Sequence, residues 1–107
     1  MNARDDRSMT FRASSGQAAA ALEEAARRAG MQHLSSDRAK GLFVYTAGRM
    51  VLATGEKVTA TVRDLAPDTV QVTLSSDLQF GLSFGSPGGA RDRMFDALLE
   101  ILPPAQP

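Results

Sequence analysis

Hydrophobic and polar residues alternate most clearly on either side of a turn at residues 64–68. The apolar positions are Val58, Ala60, Val62, Val70, Val72 and Leu74. Because successive side chains of a strand point to opposite faces, each arm has one apolar and one polar face. Pro67 and the flanking aspartates supply turn chemistry. The pattern predicts a β-hairpin over residues 55–76 whose apolar face must be covered by the rest of the chain.

Other segments extend the predicted sheet. Residues 9–13 alternate and predict a short strand, residues 31–36 predict a weaker one, and residues 42–47 predict a strong one that is apolar on both faces. Apolar residues on both faces indicate a central strand or a partly covered outer face. Residues 50–53 predict a strand or a bulged corner, and residues 78–84 a further strand or an extended flap.

The first predicted helix spans residues 15–29. Ser14 and Gln17 have the spacing of a capping box, and Gly30 stands where a left-handed residue often ends a helix. The inner stripe consists of Ala18, Ala21, Leu22, Ala25 and Ala29. Because these side chains are small, we expect the helix to lie close to the sheet.

A second helix is predicted near the C-terminus. It begins at Pro87 or nearer Ala90, and Pro103 and Pro104 end it. Its apolar stripe consists of Met94, Phe95, Leu98, Ile101 and Leu102. This stripe is bulkier than that of the first helix, so the two helices are expected to cover different parts of the hairpin.

The order of these elements predicts the fold class. Consecutive strands joined by short turns favour one antiparallel sheet, here of four to six strands, with two helices packed on one face. The predicted fold is therefore α+β, in the order β-α-β-β-β-β-α. We expect one domain over residues 9–102, with disordered tails at 1–8 and 103–107.

Composition removes several classes of site. The 107 residues include no cysteine and a single histidine, which argues against thiolate chemistry and a His-rich metal site. Twelve basic and twelve acidic residues balance, which predicts no nucleic-acid partner. No apolar run approaches the roughly 20 residues of a membrane span, and the first residues lack the apolar core of a secretory signal. A cytoplasmic location is the expectation.

A glycine-rich segment precedes the second helix. Gly81, Gly85, Gly88 and Gly89 lie there, followed by Arg91 and Arg93 in the first helical turn. Backbone amides at a helix N-terminus can bind an anion, and cations in a first turn oppose the helix dipole unless something compensates them. The segment predicts either an anion site or a plain flexible connector, in which Asp92 serves as the local partner of the arginines.

Two further surfaces are candidates for binding. Phe80 and Phe84, with Leu78 and Leu82, line an apolar pocket or fill the core. His33 is either a general base, for which no partner stands at an informative spacing, or a surface or edge residue of its strand, which is the expectation. The polar outer face of the hairpin is either solvated or a docking surface, to which Phe43 or Tyr45 contributes if their strand faces the same way. Its residues are Thr59, Thr61, Arg63, Thr69, Gln71, Thr73 and Ser75.

A set of short motifs follows the predicted elements: Phe11, the helix through Gly30, Asp37, Gly41, Gly55, Glu56, Ser75, Ser76 and the helix after Gly89. With these motifs the local sequence resembles small bacterial domains of unknown function, and the order β-α-β4-α resembles the helix-grip or TATA-binding-protein-like architecture. The resemblance spans residues 9–102. Such families place an arginine and an Asp-x-Gly-x-Asn segment after the paired serines, where this chain has DLQFGLSFG at 77–85. The resemblance implies no catalytic residue.

These observations predict a non-enzymatic binding or protein-interaction module, with no catalytic residue, metal or cofactor. Its partner is a protein, a second copy of the chain through the exposed sheet or an edge strand, or a small apolar ligand. The alternative is an enzyme or sensor that binds an anionic small molecule at residues 85–93. The predicted ligand-binding residues are Phe80, Phe84, Gly88, Gly89, Arg91 and Arg93.

Overall fold

The computed structural model describes residues 5–47, 56–78 and 89–105. Its elements are β1 (Asp5–Phe11), α1 (Ser15–Arg28), β2 (Gln32–Asp37), β3 (Leu42–Ala47), β4 (Glu56–Ala66), β5 (Thr69–Leu78) and α2 (Gly89–Ile101). Within these residues, five strands form one antiparallel sheet and both helices lie on one face of it. The predicted α+β fold is confirmed. Of the two segments for which the sequence predicts alternatives, 50–53 lies outside the described residues, and 78–84 does so except for Leu78, the last residue of β5.

The predicted hairpin is the centre of the sheet. The strand order is β1-β5-β4-β3-β2, so β4 and β5 lie between the other strands. The hairpin residues Val58, Ala60, Val70, Val72 and Leu74 are fully buried beneath the helices. The register shifts between Asp64 and Ala66, which places Leu65 in a bulge beside the turn.

Strand order dictates the course of α1. β1 and β2 lie at opposite edges of the sheet, and α1 joins them across its inner face. Four strand spacings of about 4.8 Å separate these edges, or about 19 Å. The 14 residues of α1 span about 21 Å at about 1.5 Å per residue. One helix of this length is therefore enough to cross the sheet.

The sequence of α1 suits this crossing. Ser14 accepts a hydrogen bond from the Gln17 amide, and the Gln17 side chain accepts one from the Ser14 amide, so the predicted capping box is present. Gly30 follows the helix with φ +75°, as predicted for a residue past the helix end. The buried residues of α1 are Ala18, Ala19, Ala21, Leu22, Ala25 and Ala26. Small side chains allow the backbone of α1 to lie close to β4 and β5.

The predicted tails are shorter than expected. β1 begins at Asp5 rather than Met9, because all seven of its residues pair with β5. At the other end, the Arg12 amide donates to the Pro103 carbonyl and the Ala105 amide donates to the Thr10 carbonyl, both at 2.9 Å. Residues 103–105 therefore lie beside β1. Both segments are rich in polar residues or proline, so hydrophobic periodicity did not reveal their backbone pairing.

Strand β3 turns its aromatic side chains inward. Phe43 pairs with Ala60 and Tyr45 pairs with Val58, and residues directly opposite each other in a sheet share a face. The suggestion that Phe43 or Tyr45 contributes to the outer face is therefore wrong. Alternation could not decide this, because Leu42 and Val44 make the other face of β3 apolar as well.

No helix within the described residues is long and apolar enough to cross a membrane.

Two left-handed glycines provide a test of the β2–β3 turn. A Cβ at Gly41, with φ +67°, would lie 2.2 Å from the Val62 carbonyl oxygen, whereas one at Gly30 would contact nothing within 4 Å. We expect Gly30→Ala to cost about 1–2 kcal/mol, the ordinary penalty of a left-handed alanine. Gly41→Ala should cost about 3 kcal/mol or more, because the clash is with backbone. Urea denaturation measures both, and equal losses would contradict the close approach of the turn to β4.

Candidate functional site

The predicted ligand-binding residues fall into two groups. Phe80, Phe84 and Gly88 lie outside the described residues, so their role stays a prediction. Gly89 is the first residue of α2, Arg91 lies in its first turn, and Arg93 begins the second turn. The structure therefore describes the helical side of the predicted anion site.

Arg91 lies against Asp92 rather than in solvent. Only 4% of Arg91 is exposed, and its guanidinium donates to Asp92 Oδ1 at 2.9 Å. Arg7, at the edge of the sheet, donates to the same oxygen at 3.0 Å. Desolvation would raise the pKa of Asp92, but the hydrogen bonds from Arg7 and Arg91 outweigh it and hold that pKa below its usual value. Asp92 is therefore a partner of Arg91, its neighbour in the sequence, and of Arg7 on β1.

Arg93 contacts the neighbouring helix. It donates at 3.4 Å to the backbone carbonyl of Ala29, the residue that caps the C-terminal end of α1, where a helix lacks amide partners for its last carbonyls. Arg7 lies with its guanidinium carbon 4.4 Å from the centroid of the Phe95 ring, within the range of a cation–π contact. These contacts give the arginines structural partners, while the predicted anion site stays a prediction.

A groove opens where α1 leaves part of the sheet uncovered. All six residues of β2 are exposed, because α1 reaches this edge only at its C-terminal end. The groove between α1 and the β2–β3 hairpin has a volume of about 480 Å³. We call it the Tyr45 groove; its lining residues are Ala20, Glu23, Glu24, Ala26, Arg27, Met31, His33 and Tyr45.

Tyr45 contributes an unusual polar group to this groove. The residue is 1% exposed, and among the residues that the structure describes its hydroxyl is the one buried side-chain polar atom without a hydrogen-bond partner. A buried polar group in this state costs about 1–3 kcal/mol, and such groups are few in native proteins. The His33 ring meets the Tyr45 ring edge-on, with centroids 5.7 Å apart.

The electrostatic environment favours the neutral phenol. Burial raises the pKa of Tyr45 to about 12, and the negative charge of Glu23 on α1 adds to the effect. Glu24 is compensated differently, since Arg27 and Arg28 both donate to its carboxylate and lower its pKa. The two neighbouring glutamates of α1 therefore have different surroundings.

A second groove, of about 300 Å³, lies at the other end of α1. Gly41, Phe43, Val62 and residues 38–40 line it together with the first turn of the helix. Within the described ranges this groove contains no buried side-chain polar atom that lacks a partner. The Tyr45 groove is therefore the stronger candidate site.

The two edges of the sheet differ in what covers them. Residues 103–105 lie along part of β1, whereas β2 pairs only with β3 within the described chain. Leu34, in the irregular part of β2, is 49% exposed. A protein partner or a second copy at this edge stays a prediction.

In the described residues no group of His, Asp and Glu could hold a metal ion.

Sequence reasoning missed the Tyr45 groove. His33 lies exposed on β2, as the sequence predicts, but the sequence relates Tyr45 only to the outer docking surface and not to a groove under α1. The available signal was the single tyrosine of the chain, placed in a strand with apolar residues on both faces. A phenol needs a hydrogen-bond partner when buried, and the sequence offers none at a local spacing.

The single tyrosine allows a direct test of its environment. The folded pKa of Tyr45, about 12, lies above the ordinary value of 10, so this shift stabilises the fold below about pH 10, and the contribution is lost as pH rises toward 12. Tyrosinate absorbance should titrate near pH 12 in the folded protein. Tyr45→Phe should remove this pH dependence and raise the free energy of unfolding at neutral pH by about 1 kcal/mol, because an unpartnered hydroxyl is deleted. Titration near pH 10 in the folded state would contradict the buried environment.

Comparisons with known proteins give the fold and no family. No family model matches the chain, and no curated protein matches it. The solved structure of an uncharacterized protein from Bacillus thuringiensis is similar, with a TM-score of 0.59 and 11% identity over 92% of this chain and 97% of that chain. The di-domain ARO/CYC StfQ from the steffimycin biosynthetic pathway is also similar, with a TM-score of 0.50 and 14% identity. That match covers 91% of this chain but 43% of StfQ. At such identities the likeness concerns the fold alone, and the resemblance to small bacterial domains of unknown function stays a prediction.

Proposed function

We propose that this protein is a non-enzymatic binding module that holds a small ligand in the Tyr45 groove. The observation that carries the proposal is the buried hydroxyl of Tyr45, which lacks a hydrogen-bond partner among the described residues. A ligand group that hydrogen-bonds to this hydroxyl removes the cost of leaving it unpaired. The hydroxyl is buried, so binding requires side chains that line the groove to move aside.

The surroundings of the hydroxyl suit a small, partly apolar molecule. Met31 and the rings of His33 and Tyr45 supply apolar contacts, while Glu23 and Arg27 supply polar groups at the rim. The groove volume of about 480 Å³ lies within the range of about 300–1,000 Å³ that ligand sites occupy. Apolar walls with a few placed polar groups are the usual composition of such sites.

Blocking the groove tests the proposal. Ala20 is exposed on α1 and lines the groove, so Ala20→Phe should fill it without changing the core. Asp96→Phe, on the exposed side of α2, is the matched control because it adds the same ring away from the groove. In an NMR screen of small aromatic fragments, we expect hits to shift the amides of residues 31–33 and 45 in the wild type and in Asp96→Phe. For Ala20→Phe we expect the same fragments to bind at least fivefold more weakly, which corresponds to about 1 kcal/mol of binding free energy.

Two outcomes would contradict a ligand site here. One is a screen in which no fragment shifts residues 31–33 and 45. The other is retention of the same affinity in Ala20→Phe, which would place binding elsewhere. Thermal unfolding of both variants checks that neither substitution has damaged the fold.

A second candidate is the predicted binding of an anionic small molecule at residues 85–93, by an enzyme or sensor. What favours it is the burial of Arg91, since a cation in the first turn of α2 opposes the helix dipole and gains from a nearby negative charge. Asp92 supplies one such charge at 2.9 Å. A bound anion would add to Asp92 rather than replace it.

Inorganic phosphate tests this second candidate. If residues 85–93 bind an anion, millimolar phosphate should raise the melting temperature by a few degrees, because binding to the folded state stabilises it by mass action. Arg91→Ala with Arg93→Ala should abolish the rise, while Arg12→Ala with Arg63→Ala, at exposed positions after β1 and in β4, should keep it. An equal rise with sodium sulfate and in both double variants would indicate a general salt effect and contradict the site.

A further inference from the structure

We propose that the ligand of the Tyr45 groove is an amine, whose positively charged ammonium group lies between the carboxylate of Glu23 and the hydroxyl of Tyr45. This inference rests on the proposed function and adds the chemical class of the ligand. It follows from the distribution of charge around the groove and from the kinds of hydrogen-bonding group that line it.

The charge of the groove comes from Glu23. Three charged side chains line it, and two of them, Glu24 and Arg27, pair with each other. Arg28 also contacts Glu24, with Nε 3.0 Å from Oε2, and Glu100 lies 3.3 Å from the same guanidinium, so these two arginines are balanced by two carboxylates. Among the described residues no ion pair involves Glu23, although Glu23 lines the same groove as Tyr45. The paired charges cancel at short range, so Glu23 leaves the groove with a net negative charge.

The other groups in the groove also favour a cation. The Tyr45 oxygen can accept a hydrogen bond, and an ammonium group has three donors and no acceptor. The Tyr45 ring meets the His33 ring edge-on, and the face of a tyrosine ring attracts cations. A carboxylate ligand would instead lie against Glu23 and be repelled. The apolar body of the amine would contact Met31 and the alanines of α1.

The surroundings of the phenol agree with this charge distribution. After burial, the second cause that raises the pKa of Tyr45 is the negative charge of Glu23, so the field of this carboxylate reaches the hydroxyl. A cation placed between the two groups would be stabilised by the same field. The attraction acts across a partly solvated groove, so we expect a modest preference that weakens as salt is added.

Three aromatic probes of similar size separate the effect of charge from that of shape. Benzylamine, benzyl alcohol and benzoate share a ring and differ in charge, and at about pH 8 an alkylamine is protonated while a carboxylic acid is ionised. In NMR titrations that follow residues 31–33 and 45, benzylamine should bind about three- to fivefold more tightly than benzyl alcohol, the range of a solvent-screened ion pair. Benzoate should bind most weakly. Raising the salt concentration should narrow the difference between amine and alcohol.

Substitutions show which residues cause the preference for benzylamine over benzyl alcohol. Glu23→Gln should make benzylamine and benzyl alcohol bind equally, whereas Asp96→Asn should keep the preference. Asp96→Asn is the matched control because it removes the same charge from an exposed position on α2 that does not line the groove. Tyr45→Phe should weaken the binding of both probes, because the ammonium group of benzylamine and the hydroxyl of benzyl alcohol would each lose the Tyr45 oxygen that accepts their hydrogen bond.

The outcomes distinguish this inference from the proposed function. If benzyl alcohol and benzylamine bind the groove equally in the wild type, the groove is a ligand site but the amine class is wrong. If benzoate binds most tightly, or if Glu23→Gln keeps the preference for benzylamine, the charge argument is overturned. If none of the three probes shifts residues 31–33 and 45, the amine inference fails, and a fragment screen that is equally silent there contradicts the ligand site itself.

Discussion

The fold depends on the close approach of one helix to a sheet that it must cross. β1 and β2 lie at opposite edges, and α1 alone carries the chain between them over the inner face. An inner surface built mostly from alanine makes this possible, because larger side chains would hold the helix away from the buried valines of β4 and β5. The crossing ends at the β2 edge, and β2 itself is left exposed. The candidate site is thus a consequence of how the sheet is connected.

The second helix is fixed by charge as well as by packing. Met94, Phe95 and Leu98 are buried, and the arginines around the start of α2 join three parts of the fold. Arg7 connects β1 to Asp92, and Arg93 connects α2 to the last carbonyls of α1. These contacts are partly exposed, so each contributes little alone. Together they explain why cations are tolerated where the helix dipole disfavours them.

The sequence was sufficient for those features that local periodicity and capping chemistry determine. It predicted the central hairpin, the alanine-faced helix with its capping box, the glycine that follows this helix and the α+β class. It could not predict which way β3 faces, because Leu42 and Val44 are as hydrophobic as Phe43 and Tyr45, and only the pairing of Tyr45 with Val58 decides. The same limit hid the site. Glu23, His33 and Tyr45 lie on three elements, and no local spacing indicates that they line one groove.

The Tyr45 groove is a place where the fold gives up stability. A small domain has roughly 5–15 kcal/mol of net stability, and an unpaired buried hydroxyl consumes about 1–3 kcal/mol of it. Phenylalanine would fill the same space without this loss, so packing alone does not account for tyrosine at position 45. Sites at which a local rule is broken without a structural gain are often functional. The hydroxyl, the uncompensated Glu23 and the uncovered β2 edge meet at this one place, which is why binding is best sought there.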